Sequence, residues 1–240
     1  MMFFDPMMLL VTAPGILLGL WAQYKVKSTF SRYGEVQLRN GLSGAEIAQR
    51  ILDVNNVSDV RIERVSGFLS DHYDPSNRVL RLSPDVHDGR SVSAAGVAAH
   101  EVGHALQHAA NYRWLGMRSA LVPVVSVTAG AAPYALFGGA MLVQFGSVLL
   151  GTLALYLGVI GFGFACLFQL VTLPVEFDAS KRALVAIERG GLANRLEIDG
   201  AREVLNAAAL TYVAAAIQAV LTLLYYLWRL GLFGGSRREE

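Results

Sequence analysis

Three stretches of the chain contain no Asp, Glu, Lys, Arg or His: residues 6–24, 119–175 and 204–228. A helix crossing a bilayer needs ~20 mostly apolar residues. The first and last stretches each fit one crossing, near Met7–Tyr24 and Ala207–Trp228. The middle one, 57 residues long, would make a helix of ~85 Å against a core of ~30 Å. It therefore has to double back, at Phe137-Gly138-Gly139 or at Gln144-Phe145-Gly146, giving spans near 119–137 and 148–173. Pro14 and Gly15 lie within the first span, where membrane helices tolerate them. Trp21, Tyr24, Lys25 and Lys27 follow as an interfacial anchor. Pro174 is expected to end the third span and open a new helix.

Between the first two spans the pattern changes. Ser43-Gly44-Ala45-Glu46 is a capping box, and Ile47, Ile51 and Leu52 form the apolar stripe of the helix it opens. Asn55-Asn56 closes that helix. Val60–Val65 alternates with period two, as a strand does. Phe68–Tyr73 and Val79–Leu82 are two further short strand candidates. The turn residues Asp74-Pro75-Ser76-Asn77 join them as a hairpin. Ser91 or Ser93 then caps a helix reaching about Asn111, rich in Ala and Gly and so suited to close packing. No internal repeat or low-complexity segment stands out.

These patterns predict a mainly α, polytopic helical membrane protein with about four transmembrane helices and a small α+β polar portion. The expected organisation is an anchor over 1–24, a polar α+β segment over 25–118 and a helical hairpin over 119–173. Polar helices over 174–206, a fourth span over 207–229 and a tail over 230–240 complete it, with Gly234–Glu240 disordered. Composition agrees: 54% of residues are hydrophobic and 16% charged, against about 25% charged in an average soluble domain. With a net charge of +1, no basic face marks a nucleic-acid partner. The single Cys166 sits in the apolar run, which excludes a disulfide framework and a thiolate metal site. No positive segment precedes the first span and no small-residue cleavage site follows it, so it reads as a retained anchor. Lys and Arg concentrate in 25–118 and 175–203, which places both segments together on the cytoplasmic side.

His100-Glu101-Val102-Gly103-His104 fits H-E-x-x-H in the middle of a predicted helix. Residues i and i+4 share a helix face, so both imidazoles can reach one ion at ~2.1 Å. Glu101, one position round, can meet a water on that ion as general base without becoming a ligand. Catalytic zinc usually takes three protein ligands, and several residues compete for the third place. His108 continues the spacing but lies ~6 Å beyond His104 and ~12 Å beyond His100, so it reads better as a supporting or surface residue. His72 lies in the hairpin and His87 in a loop. Glu176, just after Pro174, either complements a helix dipole or completes a His/His/Glu set.

The segment His100–His108 (HEVGHALQH), the approach Leu82-Ser83-Pro84 with Asp88-Gly89-Arg90-Ser91, and Leu173–Ser180 (LPVEFDAS) resemble the YugP-type membrane zinc metallopeptidases. The likeness runs nearly end to end, including the opening Met1–Pro6. It implies a zincin-like polar portion in a bacterial plasma membrane, multi-pass, with the site facing the cytoplasm. It further implies one zinc ion per chain on His100, His104 and Glu176, with Glu101 as base. The layout is also similar to the HtpX and CAAX-protease gluzincins, whose later helix carries E-x-x-x-D. Here Ser180 stands at that Asp position, and Asp178 is expected to take the supporting role.

The expected activity is a metalloendopeptidase acting on protein or peptide substrates, some of them membrane-associated. A metal-activated water is the nucleophile and Glu101 takes its proton. Tyr73, His72, Arg182 and Tyr212 are candidate donors to the tetrahedral oxyanion. An extended substrate is expected to pair with the edge of the strand at Val79–Leu82. Two rival readings exist. Ile198-Asp199-Gly200 resembles the later motif of site-2-type intramembrane proteases, with Asp199 as third ligand. The charges around it, Arg195, Glu197, Arg202 and Glu203, disfavour a site within the bilayer. The other rival is a non-enzymatic scaffold stapled by zinc, with His108 as a fourth ligand.

Overall fold

The computed structural model describes residues 5–232. The opening Met1–Phe4 and the tail at Gly234–Glu240 lie outside the described residues. Seven helices and one small sheet are described: α1 (Pro6–Gly34), α2 (Gly44–Val54), β1 (Arg61–Arg64), β2 (His72–Asp74), β3 (Val79–Leu82), α3 (Pro84–His87), α4 (Val92–Ala109), α5 (Arg113–Gln144), α6 (Val148–Arg189) and α7 (Arg195–Arg229). Four of them, α1, α5, α6 and α7, are long and apolar enough to cross a membrane. The chain is a mainly helical, polytopic membrane fold with a small α+β part.

Among the described residues two compact units share these elements: 5–19, 117–172 and 213–232 form one, 20–116 and 173–212 the other. In the first, the most apolar window of each long helix is only 11% to 22% buried. Leu10, Leu17, Leu149, Leu153, Leu157 and Ile160 point outward. Apolar side chains turned away from a packed interior over this length mark a surface solvated by lipid. Glycines bring α5 and α6 together: a Cβ on Gly139 would lie 2.8 Å from the Gly151 carbonyl oxygen, and one on Gly161 would lie 2.9 Å from the Ala132 Cβ. The reversal falls at Phe145–Ser147, where Gly146 takes φ +91°.

The second unit is built around α4. Ser43 caps α2 with its side chain, and Glu46 answers to the Ser43 amide, completing the capping box. Ile47, Ile51 and Leu52 of α2 pack with Leu80 and Leu82 of β3 and with Ala98, Ala99 and Val102 of α4. Of the two serines expected to cap α4, Ser91 is the cap and accepts from the Ala94 amide, while Ser93 lies in the first turn. The face of α4 opposite α2 is buried as well, so small residues are needed all round. A Cβ on Gly96 would touch the Ala201 Cβ at 3.4 Å, which places α7 directly against the helix.

Three local expectations change. The strand foreseen over Phe68–Tyr73 is confined to His72–Asp74, because Gly67 and Leu69 adopt positive φ and cannot continue an extended ladder. The Asp74 carboxylate accepts from the Ser76 and Asn77 amides and closes the hairpin turn as foreseen. Strand β3 is not an edge: β1 pairs with it in parallel and β2 antiparallel, in the order β1-β3-β2. The edge expected at Val79–Leu82 for an extended substrate is thus already occupied on both sides. Finally, Pro174 neither ends nor begins a helix, since α6 runs unbroken through it. Proline removes one donor from the ladder, and helices at membranes accommodate that loss.

Candidate metal centre

His100 and His104 lie one turn apart on α4, and Glu176 comes from α6. Their rings stand edge to face, with centroids 4.8 Å apart. Both rings turn Nε2 toward the same carboxylate oxygen. Glu176 Oε2 is 3.2 Å from His100 Nε2 and 3.6 Å from His104 Nε2. Two ligands each ~2.1 Å from a tetrahedral ion stand ~3.4 Å apart, so these separations fit one zinc. The ligand atoms all lie within 4.8 Å of one another, and among the described residues these three form the group of His, Cys, Asp or Glu able to hold a metal.

The packing of α4 on α6 fixes how closely the third residue approaches. A Cβ on Gly103 would lie 2.4 Å from the carbonyl oxygen of Ala179. Only glycine lets that carbonyl sit against α4, three residues beyond Glu176. Glu176 is 2% exposed, and a buried carboxylate must be compensated. Burial pushes its carboxyl up, but hydrogen bonding from His100 and His104 and their charge outweigh this, holding it well below the ordinary 4.5. Burial pushes the His104 ring down. The bond to Glu176 and the charges of Glu101 and Glu176 overcome that, and the ring lies above the ordinary 6.5.

Behind the rings lies a second set of contacts. His100 Nδ1 is 3.1 Å from Ser180 Oγ, and His104 Nδ1 is 3.1 Å from Gln107 Oε1. Gln107 is fully buried and donates through Nε2 to the Val175 carbonyl at 2.7 Å and to Asp178 Oδ2 at 2.9 Å. The same Oδ2 accepts from Arg182 Nε at 2.5 Å, and the Arg182 guanidinium lies 5.6 Å from the centre of the Tyr112 ring. Outer contacts of this kind orient metal-ligating imidazoles. Ser180 thus takes the supporting place directly, while Asp178 reaches His104 only through Gln107. The sequence reading passed over Gln107. Its signal was available, because it lies three residues after His104 and seven after His100, on their face of α4.

Glu101 is 8% exposed. Among the described residues no hydrogen bond or ion pair engages its carboxylate, and its charge acts on His104 and on Asp71. Asp71, half-buried before β2, accepts from the Ser83 amide and hydroxyl. Burial raises its carboxyl above the ordinary 3.8 despite those bonds.

The other candidates have these surroundings. His108 Nδ1 is 2.8 Å from Tyr73 Oη, and His108 is not among the three residues whose ligand atoms converge. His72 is exposed, its Nδ1 2.8 Å from the Ser70 carbonyl. His87 pairs with the adjacent Asp88. Arg182 is engaged by Asp178, and Tyr212 lies half-buried on α7. Asp199 is exposed beside Arg202 at 3.8 Å, outside the group.

Comparison with known proteins identifies a family and a relative. A relative in Bacillus subtilis (strain 168), "Putative membrane protease YugP", is 49% identical over 217 residues, covering 90% of this chain and 93% of its own length. No solved structure matches. Residues 8–231 match the family described as "Putative neutral zinc metallopeptidase", and with nearly its whole length aligned the chain belongs to that family.

Proposed function

We propose that the protein is a membrane-embedded, zinc-dependent metalloendopeptidase. The convergence of His100 Nε2, His104 Nε2 and Glu176 Oε2 on one point carries this reading. Two imidazoles and one carboxylate form a donor set typical of hydrolytic zinc and leave a fourth position open. When bound there, zinc makes a water acidic and polarises the substrate carbonyl. Glu101 supplies the base: among the described residues its carboxylate has no competing partner, and it removes the water's proton as the peptide carbonyl is attacked. It then returns the proton to the departing amine. Ser180 and Gln107 keep the two rings facing the ion.

The substrates in this reading are proteins or peptides, some held at the bilayer. The site lies on the cytoplasmic side of a bacterial plasma membrane, where the Lys and Arg distribution puts both polar segments. Glu101→Gln tests the reading. The purified variant is expected to keep its zinc and lose about 10²- to 10⁴-fold in cleavage of a generic protein substrate, the range for a general acid–base group. Cleavage at the wild-type rate would refute it. Asp199 and His108, on which the two rivals depend, both lie outside the group of converging ligand atoms found among the described residues.

A further inference from the structure

We infer that Gln107 holds His104 as the tautomer protonated at Nδ1, and thereby makes Nε2 the nitrogen this ring offers to a metal. The inference deepens the proposed function and rests on His104 being a ligand. Its force comes from what the neighbours of Gln107 can do chemically. A side-chain amide has one accepting end and one donating end, indistinguishable by shape alone. Here the two partners at one end, the Val175 carbonyl and the Asp178 carboxylate oxygen, can only accept. The carboxylate already receives Arg182 Nε, a permanently protonated group. The amide nitrogen must therefore face that pair, and the oxygen is left facing His104 Nδ1. An oxygen that can only accept demands a proton on Nδ1. In the neutral ring the lone pair is then confined to Nε2, the atom that points at Glu176.

His100 differs. Its Nδ1 meets the hydroxyl of Ser180, which donates or accepts by rotating and so imposes no tautomer. Gln107 is the member of the outer contacts with a fixed polarity. It holds that polarity without touching the metal position, substrate or reacting atoms, and it is a positioning residue rather than a catalytic one. The chain Arg182–Asp178–Gln107–His104 links one ligand to the turn of α6 that carries Glu176 two residues before Asp178.

The test uses the full-length protein in detergent micelles, with ¹⁵N-labelled histidine and zinc. In the wild type, His104 (identified by the resonance lost in His104→Gln) is expected to show its proton on Nδ1, in slow exchange with water. Gln107→Met keeps length and removes the acceptor. It is expected to weaken zinc binding by about 10- to 100-fold, the usual cost of losing such a contact, and to speed exchange of the Nδ1 proton. A wild-type His104 carrying its proton on Nε2 overturns the inference, whether or not the variant folds. So does a folded Gln107→Met protein with wild-type zinc affinity. His104→Ala separates the two levels: if it binds zinc as tightly as wild type, the ligand assignment itself fails.

Discussion

Glu101 is 8% exposed, and among the described residues no hydrogen bond or ion pair engages its carboxylate, which leaves it free to meet a water. Glu176 is the opposite case, compensated by two rings. Protons and metal compete for the same atoms, which sets a pH dependence with a definite sign. With zinc chelated, the raised His104 contributes stability that is complete below its ordinary 6.5 and is lost as pH rises through its elevated value. The lowered Glu176 contributes stability that is present above 4.5 and is lost as pH falls through its depressed value. Melting of the chelated protein should thus be best between these limits, near pH 4.5–6.5. Zinc affinity should instead fall as pH drops through the His104 titration. A chelated protein whose melting temperature rises steadily from pH 6 to 9 would contradict this pairing. At this scale the pairing of His100 with His104 was legible because i, i+4 spacing alone puts them on one helix face. Gln107 was not read, and its role depends on acceptors from α6 that spacing along α4 does not reveal.

Among the elements, α4 and α6 decide whether the three ligands meet. Gly103→Ala puts a methyl 2.4 Å from the Ala179 oxygen, so α6 must back away and take Glu176 with it. Overpacking of this kind typically costs about 1–3 kcal/mol. The variant should melt lower and bind zinc more weakly than wild type, in calorimetry and in titration against a chelator. Unchanged zinc affinity would show that the close approach does not set the ligand distance. The capping box of α2 and the Ser91 cap were legible because those signals are local. Pro174 misled because its usual meaning, a helix boundary, comes from water-soluble helices, and α6 continues through it. The parallel pairing of β1 with β3 was also hidden, since alternation gives a strand but not its neighbour.

For the molecule as a whole, composition carried most of the information. Charge-free stretches of these lengths leave few alternatives to membrane helices, and the four long apolar helices follow them. Which side each polar segment faces is a prediction from Lys and Arg placement. In a Cys166→Ser background, Ser147→Cys should react with an impermeant maleimide on intact cells. Ser76→Cys should react only after permeabilisation. The reverse pattern would place the metal centre outside the cytoplasm. The proposed centre is one ion held by two residues of α4 and one of α6. Zinc content per chain, measured by elemental analysis after purification and dialysis, tests it most directly. The account predicts one zinc in wild type, Glu101→Gln and Asp199→Ala, and its loss from His100→Ala, His104→Ala and Glu176→Ala. A Glu176→Ala protein that retains a full equivalent, or an Asp199→Ala protein that loses it, would contradict the account.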